Sequence, residues 1–358
     1  MNRRTISAFT TKVAVTFITR REPNRSKLVT YWKANANMDE TMTTFLYNRL
    51  DEPEDRIEHY HSVLQKHSDA IESGVAVICR VLQHMFGHKP DNVLKYRGVC
   101  VLLARHVAEE LDAASVLVGK GCTSPCRSHL RSAFEAELSL RYILETDVER
   151  RAIAYIIKHA KDRIRGINRI DRNSDYGVQA RKQMDEISLE VLNSIPTFDY
   201  ESSRNRIEQV LNREDYVEVH TEWKRTKAQS KRKPNWYALF DGPKSIRDLA
   251  LHMDRGYWYD FLYSDWSNHL HAGSGMLNVA KDRSDESGDS STFRPIRLPE
   301  ELQLVLTYSN LIANQCSSIL AKQFLSPIGQ QDVRDQYLNE VKPKVDELQK
   351  TRLGIAWR

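Results

Sequence analysis

The chain has 358 residues, 53 Lys and Arg against 48 Asp and Glu, a formal charge of +5, and 41% hydrophobic residues. That length suits one large or two modest domains, and no run approaches the ~18 apolar residues a spanning helix needs. With 14 Gly and 11 Pro, collagen-like and low-complexity classes are excluded too, which leaves a cored globular protein and no preferred reaction. The first 37 residues carry Arg3, Arg4, Lys12, Arg20, Arg21, Arg25, Lys27 and Lys33 against Glu22 alone. Their apolar stretch Val13–Ile18 is short and interrupted by Thr16, unlike a signal peptide. Residues 1–37 are expected to be a basic, poorly ordered or over-extended N-terminus, with Met38 opening the first helical segment.

From there apolar residues recur at three-and-four spacing, and strand-like alternation never lasts. The expected helices lie near 40–50, 54–86, 92–119, 125–145, 147–172, 175–194, 203–224, 245–254, 257–271, 299–325 and 330–350. Pro53, Pro90, Pro125, Pro196, Pro234, Pro243, Pro299 and Pro327 fall between them or at their starts. Ser124-Pro125 places a capping hydroxyl before a proline at the first helical position. Thr146-x-x-Glu149 and Ser245-x-x-Asp248 have capping-box spacing, and Pro299-Glu-Glu sets acids in a first turn, where the helix dipole favours them. Residues 281–298, rich in Ser, Asp and Gly, are expected to be a mobile loop. The fold expected is an all-α, multi-helix antiparallel bundle with one continuous core across 38–280, and C-terminal helices in 299–358 packed on it.

Five cysteines, an odd number dispersed along the chain, suit a reducing compartment and a cytoplasmic protein. Cys122-x3-Cys126 stands alone and does not make a zinc ribbon or a redox motif. No metal or other cofactor is expected.

Two helices carry polar residues where packing favours apolar ones. At 100° per residue, Leu130, Ala133, Phe134, Leu140 and Leu144 define one apolar face. Glu137 and Arg141 fall in its middle, and Arg131 and Glu135 at its border. Desolvating an ion pair costs several kcal/mol unless other polar groups complete its bonding, so this helix is expected to face a polar hole or a cleft, with structural ion pairs as the alternative. In the second helix the stripe Tyr259, Leu262, Tyr263, Trp266 and Leu270 runs beside Asp260, Ser264, Ser267 and His271. Aromatic rings beside hydroxyls, a carboxylate and imidazoles also describe a lined cleft. His271 is a candidate general acid or base, with Glu135 or Glu137 as its orienting partner and Arg131 or Arg141 to stabilise a developing anion. Tyr263, Ser267 and Asp260 complete the candidate set.

Arg-x4–6-His at a helix start, a pattern of helical ribonucleases of the higher-eukaryote and prokaryote nucleotide-binding superfamily, occurs three times: Arg56–His61, Arg213–His220 and Arg247–His252. Roughly three matches are expected by chance in this composition. Arg247 and His252, on a capped helix, are the runner-up catalytic pair. Between helices, Trp223–Trp236 holds Lys224, Arg225, Lys227, Lys231, Arg232 and Lys233 with no acid. With Trp236 as a stacking ring, this run is the candidate nucleic-acid contact.

Arg131-Ser-Ala-Phe-Glu135 followed by Tyr142-Ile-Leu, and Tyr263-x3-Ser267-x3-His271 closing on Ala272-Gly273, resemble the two signatures of a bacterial helical family catalogued as domain of unknown function five-six-seven-seven. The resemblance covers roughly residues 60–275. It implies a bacterial all-α protein, points at the same two helices, and implies no established reaction. The expected function is action on, or sensing of, nucleic acid or a nucleotide, as a phage-defence or toxin effector with metal-independent RNase activity. The alternative is a non-enzymatic binding or scaffold module, with homo-oligomers as its expected form.

Overall fold

In a computed structural model, residues 54–87, 95–194, 199–229, 233–263, 266, 279–281, 291–293, 297 and 300–350 are described. The expected helix at 40–50, the N-terminal basic segment and most of 281–298 lie outside them.

Helices α1 (Glu54–Gly87), α2 (Lys95–Gly119), α3 (Thr123–Glu145) and α11 (Leu302–Phe324) pack on one another as the centre of the fold. Their meeting faces come from the three-and-four spacing of the sequence: Leu103, Val107, Leu111 and Val118 on α2, Leu130, Ala133, Leu140 and Ile143 on α3, and Val305, Ile312, Cys316 and Leu320 on α11, all buried. Only residues 120–122 join α2 to α3, so the two run antiparallel. Helix α4 (Val148–Ile170) lies across α2 and α3 and carries α5 (Asp175–Lys182), α7 (Tyr200–Leu211), α8 (Val217–Gln229) and a 3₁₀ segment, Trp236–Asp241. Helix α6 (Glu186–Ser194) follows α5. Helix α9 (Ile246–His252) and the short α10 (Gly256–Trp258), which continues into a π turn at Tyr259–Tyr263, lead back towards α3. After α11, α12 (Pro327–Gln336) and α13 (Lys342–Lys350), joined by a second π turn, pack on α1. Asp332 on α12 ties to α1 through Arg80 Nε and His84 Nε2, each at 2.7 Å. Arg127 Nε of α3 reaches Glu301 at the start of α11, also at 2.7 Å.

The architecture is all-α with one continuous core. Two three-residue strands, β1 (Val279–Lys281) and β2 (Ser291–Phe293), pair antiparallel, the first ending where the expected loop begins and the second lying within it.

Several boundaries differ from the sequence reading. The expected 175–194 helix breaks at 183–185, where Asp185 Oδ1 accepts from Ser188 N and restarts the chain as α6. The expected 203–224 helix breaks at Asn212–Arg213 into α7, a 3₁₀ turn and α8. The Ser245–Asp248 capping box is present in both directions. The Thr146–Glu149 box is not. Asp147 takes the N-cap position in the left-handed region (φ 47°), and its side chain caps nothing. Helix α3 starts at Thr123, ahead of Ser124, with Cys122 as an N-cap whose side chain caps no backbone N–H.

Candidate functional site

Helix α3 presents two polar pairs on different faces, and the structure separates them. Arg131 and Glu135 sit one turn apart at the bundle's edge. Arg131 Nε donates to Glu135 Oε1 at 3.1 Å. From the π turn, Tyr263 closes on this pair. Its hydroxyl donates to Glu135 Oε1 at 2.7 Å and accepts from Arg131 Nη2. The Arg131 guanidinium also lies over the Tyr263 ring, 4.2 Å from its centroid, a cation–π arrangement. Tyr259 stacks on the Tyr263 ring at 4.7 Å. Tyr263 is only 6% exposed, and burial together with the Glu135 carboxylate raises its phenol far above the ordinary value, so it stays a neutral donor. The Glu135 side chain is 41% exposed and reachable from water.

The π turn explains why Tyr263 is aimed at α3. An i→i+5 turn takes one extra residue and rotates the next residues against the α-helical register. Asp260, which the α-helical arithmetic placed on the polar stripe beside Tyr263, forms an exposed ion pair with Arg247 at 3.2 Å. Ser267 and His271 lie outside the described residues.

Glu137 and Arg141 occupy the bundle interior. Glu137 is 1% exposed, Arg141 Nε donates to its Oε1, and its Oε2 meets no hydrogen-bond partner among the described residues. Burial raises the Glu137 carboxyl above its usual range, against the opposing charges of Arg141 and Arg255. On α11, Cys316 is wholly buried near this carboxylate, and burial drives its thiol far up. The expected polar hole is therefore an ion pair sealed at its carboxylate end. Four α3 side chains read as one cleft resolve into two pairs: Arg131–Glu135, whose carboxylate is half-exposed, and Glu137–Arg141, whose carboxylate is buried while its guanidinium keeps an edge to solvent.

The runner-up pair is also held apart. Arg247 goes to Asp260, whereas His252 Nε2 bonds Glu145 Oε2 at 2.9 Å and its ring meets the edge of Tyr142. His252 lines a cleft of about 390 Å³ with Arg150, Arg151, Trp236, Phe240 and Asp241. Phe240 and Asp241 there adopt left-handed backbone (φ 55° and 59°). Buried Glu222 fixes this strained turn. Its Oε1 accepts from Phe240 N at 3.0 Å and from Thr226 Oγ1, and Arg225 grips both carboxylate oxygens. Those contacts bring the Glu222 carboxyl down to about 2.

The basic run is partly absorbed by the fold. Trp236 is 5% exposed and packs between Tyr142, Tyr155 and Tyr237, so it is a core ring, and its assignment as a stacking ring for bases is corrected. Arg225 is committed to Glu222, and Lys233 donates to Asp162 of α4. Lys224 and Lys227 are exposed. Lys231 and Arg232 lie outside the described residues.

Sequence reasoning missed Lys158 of α4. It pairs with Asp162 at 2.9 Å. Glu135 lies near enough to favour its charge, against burial and the repulsion of Arg165, which together lower it. No pattern within α4 marks Lys158, because its role depends on a carboxylate from another helix. A second unforeseen network joins α2 to α3. Glu110 accepts from Ser132 Oγ at 3.1 Å and meets His129 Nδ1 at 2.7 Å, and His106 Nε2 reaches Ser132 Oγ at 2.9 Å. Among the described residues no group of His, Cys, Asp and Glu has metal-binding geometry, and no helix is long and apolar enough to cross a membrane.

The model of a family of unknown function, DUF5677, matches residues 97–288, more than half of the chain. The chain belongs to this family. The match begins after α1 and takes in both α3 and the Tyr259–Tyr263 turn. No curated protein and no solved structure matches the chain.

Proposed function

We propose that this protein acts on RNA in the cytoplasm, cleaving phosphodiester bonds at the Arg131–Glu135–Tyr263 site as a phage-defence or toxin effector. The observation that carries the reading is the convergence of a guanidinium, a half-exposed carboxylate and a neutral phenol from segments 128 residues apart. Glu135 takes the proton of a ribose 2′-hydroxyl as that oxygen forms its bond to phosphorus. Arg131 neutralises the pentacoordinate oxyanion. His271 donates a proton to the departing 5′-oxygen as its bond to phosphorus breaks, leaving a cyclic phosphate and a free hydroxyl. Tyr263 holds Arg131 and Glu135 in place. These residues provide base, anion stabiliser and acid between them, so the reaction is expected to persist in a chelator.

A non-enzymatic reading is favoured by one feature. The three groups already satisfy one another, and together they fasten the π turn to α3. Incubating labelled single-stranded RNA with the wild-type protein and with His271→Ala separates the two. Cleavage by the wild type and its loss in a variant with an unchanged melting curve support catalysis. No cleavage by the wild type, with a lowered melting temperature as the variant's only change, supports a scaffold whose polar groups hold the helices in register.

A further inference from the structure

The cations of the basic run do not stand alone in the fold. Helix α4 displays Lys158, Lys161 and Arg165 at i, i+3 and i+7, on one stripe of its surface, and α8 packs against α4. Lys224 and Lys227 of α8 lie close enough to Lys161 that their charges, after burial, lower its ammonium, with Glu208 opposing. On either side of Lys161, Lys158 and Arg165 of the stripe, with Lys233 from the segment after α8, crowd a single carboxylate, Asp162. Lys158 stands at 2.9 Å and Arg165 at 3.6 Å, and Lys233 is in direct contact. Burial and the charge of Lys158 together lower Lys233. Three of these six cations thus crowd one carboxylate, Asp162, while Glu208 acts on Lys161 and Glu135 on Lys158. Like charges held this close raise one another's free energy, and a bound polyanion relieves that repulsion.

We infer that Lys158, Lys161, Arg165, Lys224, Lys227 and Lys233 form one seat for the phosphate backbone of a single-stranded polynucleotide, leading through Lys158 to Glu135. The inference rests on the proposed action on RNA and names the surface that holds that substrate. Half of the seat is α4, whose Lys158, Lys161 and Arg165 are interrupted by Asp162. Trp236 is buried, so the seat offers charge without a stacking ring from this segment. It is expected to bind without strong base preference and with a steep dependence on salt.

The test uses a 2′-O-methyl oligoribonucleotide, whose blocked hydroxyl prevents cleavage, so that binding is read apart from reaction. Fluorescence anisotropy across a salt series gives the slope of log affinity against log salt. Lys161→Gln/Lys224→Gln/Lys227→Gln is expected to flatten that slope by about 2, at roughly 0.7 per phosphate contact on a single strand, with an unchanged melting curve. Arg165→Gln, at an exposed position, is expected to flatten it by a further ~0.7. A slope within a few tenths of wild type overturns the seat even if the protein cleaves RNA. A flattened slope in a protein that cleaves nothing supports the seat and removes the proposed reaction. Vesicles containing phosphatidylserine provide the competing polyanion. Loss of vesicle binding in the variants, with oligonucleotide binding intact, also overturns the proposal.

Discussion

Arg141→Met leaves the Glu137 carboxylate in the core without its guanidinium partner. Glu137 is 1% exposed, one of its oxygens already lacks a hydrogen-bond partner among the described residues, and Arg141 supplies the bond to the other. Removing one member of a buried ion pair costs about 3–5 kcal/mol. Glu137→Gln is expected to cost less, about 1 kcal/mol, because the amide carries no charge to desolvate and the Arg141 side chain, 20% exposed, can reach water. The double variant Glu137→Leu/Arg141→Met is expected to return within about 1 kcal/mol of wild type, since apolar side chains of similar volume replace a buried pair at little net cost.

The pH dependence has a definite sign. Burial raises the folded-state pKa of Glu137 above the ordinary value of 4.5, so the native state binds this proton more tightly than the unfolded chain does. Its contribution to stability is then largest below pH 4.5 and declines as pH rises through the folded-state value. Without Arg141 that decline extends to higher pH, and the penalty of Arg141→Met shrinks on acidification. Urea unfolding followed by far-ultraviolet circular dichroism between about pH 5 and 8 measures both effects. A penalty under about 1 kcal/mol that stays flat across this range would refute the sealed ion pair.

Glu222 has the opposite sign. Its carboxyl lies at about 2 in the folded protein against 4.5 for a free glutamate, so its contribution is complete above pH 4.5 and is lost as pH falls towards 2. Glu222→Gln is expected to destabilise by about 1–3 kcal/mol at neutral pH, and thermal melts of the two proteins should converge as acid protonates the wild-type carboxyl. Gly242→Ala is expected to cost at least about 2 kcal/mol in urea unfolding. An added Cβ would stand 2.1 Å from the Tyr237 carbonyl oxygen and 2.8 Å from the Tyr142 hydroxyl, and a carbonyl held by the chain cannot step aside. A melt within error of wild type would mean that the 236–243 turn is free to shift.

The helices were legible because burial obeys a period. The three-and-four spacing of Leu130, Ala133, Phe134, Leu140 and Leu144 predicts both a helix and its buried side, with Leu144 alone only half-buried. The same arithmetic found that Glu137 and Arg141 fall among apolar neighbours. It did not distinguish a cleft from a sealed pair, because that depends on helices such as α11, which lies far along the chain and packs on α3. Capping boxes were legible by spacing alone only in part. Ser245 and Asp248 form one, whereas Asp147 turns into left-handed backbone and displaces Thr146 from the cap. A tryptophan beside lysines reads equally well as a stacking platform or a core ring, and Tyr142 and Tyr155, remote in sequence, decide for the core. The π turn that separates Tyr263 from Asp260 has no composition of its own, and α4's share of the basic face emerges only when α8 is laid against it.

The central claim is that Arg131, Glu135 and Tyr263 are working groups rather than a fastening between helices. Cleavage of single-stranded RNA by Glu135→Gln, measured under single-turnover conditions beside its thermal melt, tests this most directly. The amide can still accept from Tyr263 and Arg131, so the fastening persists, but it cannot take a proton. A fall in rate of about 10²-fold or more is expected, with the melting temperature nearly unchanged. An undiminished rate, or a loss of activity that only tracks a lowered melting temperature, would contradict it.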